Sequence, residues 1–275
     1  MNFESIGKLW ISHSAISDFE TCPRLYYLRD LYRDPKTNHR IQVVNPYLTL
    51  GIVVHKVIEE ISKLAAETRF EIPLMNRFER RWQFYDGKKG GFVSQEEEEN
   101  FKIRGLEMLK KLENSQIIKN PNYKIGHELP KVRLFKGEDL ILVGSLDWIE
   151  ILPNGGLHII DFKTGRTEED EHSLQLPIYQ ILAHYNFKEP IEKISYWYLD
   201  KDEGPISIEL NPIQTYIPII REKALKIKKA IDGNKLVCKS PIGKCYKCEK
   251  YEVIISNNAE YTGYDPEMNR DLYFV

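Results

Sequence analysis

The sequence predicts an α/β fold, a mixed sheet flanked by helices, and three observations predict it. Two apolar-rich runs, 140–152 and 157–163, flank a Pro153-Asn154-Gly155-Gly156 turn signal and read as a β-hairpin. A helical stretch at 172–185 and an apolar strand at 194–199 follow, giving the order strand, strand, helix, strand. Ahead of them, Val54, Val57, Ile58, Ile61 and Ala65 recur at helical spacing across 51–66, the stripe of an amphipathic helix.

The elements follow in order. Ser14 is a candidate N-cap for a short helix, and Pro23 suits the first turn of a second one carrying Leu25, Leu28 and Tyr32. Residues 34–49 read as a loop. On the 51–66 helix, Gly51, His55 and Glu59 fall on one line beside the apolar stripe, so His55 flanks the buried face. Residues 67–125 read as a helical insertion interrupted at Asp86-Gly87-Lys88-Lys89-Gly90-Gly91, with Glu96–Glu99 as a solvated helix start and Phe101, Leu106, Leu109 and Leu112 as its buried side. Residues 127–134 are expected to add a strand to the hairpin's sheet. Asn211-Pro212 opens a helix to about Ile231, and the tail from Tyr251 either packs back on the domain or meets a partner.

The 275 residues carry 39 Lys and Arg against 41 Asp and Glu, a net charge of −2. Nothing in that balance draws the whole molecule to nucleic acid, so DNA contact would depend on a local basic groove. The chain has neither a basic-then-apolar leader nor eighteen consecutive apolar residues, which leads us to expect a single cytoplasmic domain spanning 1–275 and no membrane partner. In that compartment the four cysteines are expected to be metal ligands rather than disulfides.

A hairpin loop with an odd number of residues centred on Asn154 sets Asp147 opposite Asp161. Side-chain alternation then turns Lys163 to the Asp161 face and Phe162 to the core. Two carboxylates suit a hard divalent cation, and an ammonium beside them can orient a water or offset charge on a phosphoryl transition state. An isolated Asp-x-Lys is more often a solvated surface pair. At the C-terminal end Cys238, Cys245 and Cys248 fall within eleven residues and include a Cys-x-x-Cys pair, a metal-site signal; with Cys22 they make four ligands, enough for a [4Fe–4S] cluster or a closed Zn²⁺ site. A redox Cys245–Cys248 pair is the weaker alternative, because no βαβ context places it at a helix start.

Gly144-Ser145-Leu146-Asp147, Asp161-Phe162-Lys163-Thr164-Gly165 and Gln175-Leu176-Pro177-Ile178-Tyr179 together resemble the linked motifs of the PD-(D/E)xK nucleases, and more narrowly their RecB-like branch. Gly51-x-x-x-His55 resembles that branch's first motif. Phe19-x-x-Cys22-Pro23-x-x-Tyr26 resembles the opening of its members that carry a cysteine-bound iron–sulfur cluster. The resemblance implies a restriction-endonuclease-like fold and a Mg²⁺- or Mn²⁺-dependent DNA nuclease, expected to be exonucleolytic, acting on single-stranded DNA or free ends. It implies that His55, Asp147, Asp161 and the Phe162 backbone carbonyl bind the cation, and that Lys163 is catalytic. Gln175 and Tyr179 would line the site or the nucleic-acid path, as would Glu128 from one strand earlier, with Glu59 or Glu60 supporting His55. The cluster of Cys22, Cys238, Cys245 and Cys248 would staple regions 1–33 and 234–275, and a helicase or a CRISPR-associated protein would be the partner. The chain departs from the branch in cysteine order, since the lone Cys238 precedes the Cys-x-x-Cys pair and position 254 is Ile254. That keeps zinc open beside iron and sulfur. An inactive nuclease-fold scaffold and a zinc-stapled interaction protein are the competing functions.

Overall fold

The sheet is built around one strand whose first six residues are all buried, Leu157–Lys163. A strand covered on both faces reads as a near-continuous apolar run rather than an alternation, and LHIIDFK does so. The computed structural model describes residues 8–124, 129–135 and 137–275.

In chain order the elements are β1 (Leu9–Ile11), α1 (His13–Thr21), α2 (Pro23–Tyr26), which runs into a π-turn at Tyr27–Leu31, β2 (Arg40–Val43), α3 (Pro46–Ser62), α4 (Leu74–Trp82), α5 (Gln95–Asn114), β3 (Lys131–Val132), β4 (Leu140–Val143), β5 (Trp148–Ile151), β6 (Leu157–Lys163), α6 (Gln175–Asn186), β7 (Ile191–Tyr198), β8 (Ile206–Ile208), α7 (Ile213–Asp232), α8 (Tyr246–Ile255), β9 (Glu260–Asp265) and β10 (Arg270–Phe274). They form a four-stranded sheet ordered β5-β6-β7-β8 and two three-stranded sheets, β1-β4-β3 and β2-β10-β9. β5 and β6 are antiparallel, β6 and β7 are parallel across the α6 crossover, and the whole is the mixed α/β architecture of restriction-endonuclease-like folds.

Alternation along β6 sends its residues to different cores. Leu157 and Ile159 join α6 and α7 in one apolar cluster, and Asp161 shares that face. Ile160 and Phe162 join Trp148, Trp197 and the buried sides of α3, α4 and α5 in another. The helices of the 67–125 stretch therefore cover the back of the sheet, through Phe78 and Trp82 on α4 and Phe101, Met108, Leu109 and Leu112 on α5. Ser94 caps α5, and Glu96, Glu97 and Glu98 sit in its first turn, where acids meet the positive end of the dipole. A third cluster gathers Cys22, Leu25, Leu28, Ile41, Val43, Cys248, Tyr251 and Ile254, joining early and late parts of the chain.

Several expectations need correction. The 140–152 run is two strands in two sheets, because the chain breaks at Gly144–Asp147. A Cβ on Gly144 would lie 2.8 Å from Leu182 Cδ1 and 3.5 Å from a Tyr179 ring carbon, so α6 packs closely over the backbone at that break. The strand expected at 127–134 is confined, among the described residues, to Lys131–Val132, and it pairs with β4 rather than with the hairpin. Residues 34–49 contain β2, which pairs in parallel with β10, so the tail packs back on the domain. The α1 cap is Ser12, whose Oγ accepts from Ala15 N at 3.1 Å, and not Ser14. Among the described residues no helix is long and apolar enough to cross a membrane.

Candidate functional site

The β5–β6 register, Trp148 opposite Ile160 and Ile149 opposite Ile159, continues to place Asp147 opposite Asp161. Asp147 sits one residue before β5, and its Oδ2 accepts from Phe162 N at 3.0 Å. That bond pins the carboxylate to the end of β6. Its other oxygen, Oδ1, lies 3.2 Å from His55 Nδ1, presented by α3. The α3 helix starts where Asn45 caps Leu48 N and Pro46 occupies the first turn, which fixes where His55 falls two turns on. Gly51 faces the strand end on the same helix line, with 3.3 Å from a built Cβ to Thr164 Oγ1.

Lys163 Nζ donates to Gln175 Oε1 at 2.5 Å and lies at ion-pair distance from two carboxylates, Asp161 Oδ2 at 3.1 Å and Glu169 Oε1 at 2.8 Å. The Gln175 amide in turn donates to Asp161 Oδ1 at 2.8 Å and lies 3.2 Å from the Tyr179 hydroxyl. One turn of α6 thus orders the carboxylate and the ammonium together. Asp161 Oδ2 meets Lys163 at ion-pair distance, but no hydrogen bond of proper geometry reaches it, and it is buried.

The electrostatics follow from that burial. Desolvation, then the neighbouring Asp147 charge, raises the Asp161 carboxyl to about 7, against the pull of Lys163 and His55. For His55 burial disfavours the imidazolium, yet Asp147 and then Asp161 outweigh it and raise the pKa to about 8. Burial likewise opposes the Lys163 charge, but Asp161 and Glu169 hold it above its ordinary value. Tyr179 is pushed well up by burial and the two aspartates, so its hydroxyl stays protonated. Two carboxylates, one with an unsatisfied buried oxygen, converge with an imidazole and an ammonium. That donor set fits a hard divalent cation.

Six of the candidates from the sequence are thus brought together: His55, Asp147, Asp161, Lys163, Gln175 and Tyr179. The side chain of Phe162 goes to the core behind them. Glu128 lies outside the described residues. Neither Glu59 nor Glu60 supports His55, since Glu59 pairs with Lys63 and Glu60 binds Arg77, Arg80 and Arg81. Glu169 was missed. It sits in an acidic loop that resembles any solvated charge run, and only the fold brings it to Lys163 and supports it through the Tyr198 hydroxyl, 2.8 Å from Glu169 N.

The ligand atoms of Cys22, Cys238, Cys245 and Cys248 all lie within 4.8 Å of one another, a group that could hold a metal ion. Cys22 precedes Pro23 at the start of α2; Cys245 is the N-cap of α8 and Cys248 its third residue. The Cys-x-x-Cys pair therefore stands at a helix start, where the sequence pattern had placed none. Backbone N–H groups of that first turn, Cys248's first, lower the Cys245 thiol to about 7, while burial lifts Cys248 to about 12 and raises Cys22.

The family model described as the PD-(D/E)XK nuclease superfamily matches residues 10–252. A search of the curated proteins found no match.

Proposed function

Because the chain belongs to the PD-(D/E)XK nuclease superfamily, we propose that the hairpin site hydrolyses phosphodiester bonds of DNA with Mg²⁺ or Mn²⁺, working from strand ends. The observation that carries the reading is the convergence of Asp147, Asp161, His55 and Lys163 around a buried carboxylate oxygen without a hydrogen bond. His55, Asp147, Asp161 and the Phe162 carbonyl would hold the cation. When bound, it supplies a positive charge that draws a phosphate and a water together and withdraws density from the phosphate oxygens. Lys163 stays protonated between Asp161 and Glu169, so it stabilises charge developing on the phosphoryl group and orients the attacking water through Nζ. Gln175 keeps Asp161 and Lys163 in register, and Tyr179, with its proton retained, donates toward the strand. The sequence has no Gly-x-x-x-x-Gly-Lys-Thr loop, so a separate helicase or a CRISPR-associated partner would open long duplexes for it.

The four cysteines form a second, structural centre, since thiolates select zinc or iron–sulfur and carboxylates select Mg²⁺ or Mn²⁺. A thiol spacing within 4.8 Å lies near the ~3.8 Å edge of a tetrahedron with ~2.3 Å metal–sulfur bonds. That supports one zinc ion, whereas the Phe19-x-x-Cys22-Pro23-x-x-Tyr26 opening supports a [4Fe–4S] cluster. Elemental analysis and an absorption spectrum on anaerobically purified protein decide between them.

The nuclease reading is tested with end-labelled single- and double-stranded DNA in Mg²⁺ or Mn²⁺. We expect cleavage that starts from an end and is lost by several orders of magnitude in Lys163→Ala, with DNA binding retained. Wild-type cleavage by that variant would show the site to be misassigned.

A further inference from the structure

Lys163 meets as many oxygens as it has N–H groups. An ammonium has three donors, and Gln175 Oε1, Glu169 Oε1 and Asp161 Oδ2 all stand within 3.1 Å of Nζ. A phosphate oxygen that is to reach this ammonium must take the place of one of them.

Two of the three are fixed. Asp161 is buried within β6, and its Oδ1 accepts from the Gln175 amide at 2.8 Å. Gln175 opens α6 and bonds Asp161, Lys163 and Tyr179 at once. Glu169 differs. It belongs to the loop of residues 164–174 between β6 and α6, and its side chain is 29% exposed where that of Asp161 is 2%. Other contacts hold that loop in place: Glu169 N donates to the Tyr198 hydroxyl at 2.8 Å, Ser173 N donates to Asp170 O at 2.8 Å, and Lys201 donates to Glu168 at 2.5 Å. The Glu169 side chain can therefore turn away from Nζ by changing rotamer, with the backbone unmoved. Burial disfavours its charge, but Lys163, then His13 and Ser173, outweigh it and hold the carboxyl below its ordinary value. Ser173 and His13, themselves 3.5 Å apart, remain beside a carboxylate that leaves the lysine.

A carboxylate and a phosphate offer an ammonium the same partner, a charged oxygen. We propose that Glu169 stands in for the substrate phosphate: it occupies one direction of the Lys163 ammonium in the free protein and is displaced by a phosphate oxygen when DNA binds. The inference rests on the nuclease reading and deepens it, because the ammonium becomes a phosphate seat that stays covered until a strand arrives. Breaking the Lys163–Glu169 pair costs affinity, so only a ligand that supplies an anion in exchange uncovers the seat.

The test is a double-mutant cycle on the full-length protein, read as the affinity for a fluorescent single-stranded oligonucleotide by anisotropy in EDTA, where cleavage is silent. Glu169→Gln should bind about fivefold more tightly than wild type, since the strand no longer competes with a carboxylate. Glu168→Gln removes the same charge from the same loop, but from a residue paired with Lys201, and should change affinity by less than about twofold. In a Lys163→Ala background the gain from Glu169→Gln should shrink to that of Glu168→Gln. In Mg²⁺ the KM of Glu169→Gln should fall. A gain that persists without Lys163, or an equal gain from Glu168→Gln, would reduce Glu169 to a remote charge and overturns the inference. Unchanged affinity and KM with a loss of kcat would make it a fixed brace of the lysine, and overturns it as well. A wild-type protein that cleaves no DNA but shows the Lys163-dependent gain keeps the phosphate seat and removes the nuclease reading.

Discussion

Replacing Asp161 by asparagine should make the metal-free protein more stable at alkaline pH while abolishing its response to Mn²⁺. A carboxyl that titrates near 3.8 in an unfolded chain and at about 7 in the fold is penalised by about 4 kcal/mol once ionised in both states. The unfolded state releases its proton first, so this penalty is absent below pH ~4, grows through the interval up to 7 and is complete above it. His55 slopes the same way. With its folded pKa raised to about 8 from 6.5, it contributes stability below 6.5 that is lost as pH rises through 8. Asp161→Asn removes the first contribution and most of the second survives, because Asp147 is the larger support of His55. Lys163 loses its 3.1 Å ionic partner but keeps Glu169 at 2.8 Å, so we expect a net gain of about 1–3 kcal/mol at pH 8.5. The assay is urea unfolding in EDTA at pH 5 and 8.5, with wild type losing about 2–3 kcal/mol more than the variant across that range. Adding Mn²⁺ at pH 8.5 should then raise the wild-type midpoint and leave the variant unmoved. Parallel pH dependence in the two proteins would refute the electrostatic account of the site.

Three further outcomes are expected. His55→Ala should weaken Mn²⁺ binding by calorimetry with little change in metal-free melting temperature at pH 8.5, above the pKa of about 8 where the imidazolium's contribution is lost; a large metal-free loss at that pH with unchanged affinity would make it a packing residue instead. Cys22→Ser and Cys248→Ser should each lower bound zinc or iron together with solubility, because binding at the four thiols feeds into folding; a folded, active wild-type protein with neither metal excludes the staple. Gly144→Ala should cost about 1–3 kcal/mol in urea and slow cleavage, as its Cβ meets Leu182 at 2.8 Å on the helix that carries Gln175 and Tyr179; a neutral effect would show that α6 can retreat there.

The hairpin was legible because a period of two and a centred turn determine which residues oppose one another. Asp147 falls opposite Asp161, and Phe162 points away from Lys163, for that reason alone. The tight approach at Gly144 was not legible, since it is made by Leu182, on a helix far later in the chain. β1 and β2 escaped for a related reason. Three and four residues carry little pattern, and their partners, β4 and β10, lie far along the chain. The N-cap of α1 was misplaced by two residues because Ser12 and Ser14 both qualify locally, and their hydroxyls are 2.9 Å apart. A Glu150–His158–Ser195 chain of 2.9 and 2.7 Å contacts resembles a nucleophile triad, but all three are buried within the sheet, where it braces strands and meets no substrate.

The parallel pairing of β2 with β10 also sets a clock on synthesis. Residues 40–43 have no other strand partner among the described residues until 270–274 have been translated, roughly 230 residues later. At about 5–20 residues per second, that edge stands open on the ribosome for roughly 10–50 s. Through that interval Ile41 and Val43 await the closing strand, and Asp271 has yet to reach Thr37 and His39. Slower translation between the two strands would therefore prolong the time for which residues 40–43 stand as an unpaired edge free to seek another chain.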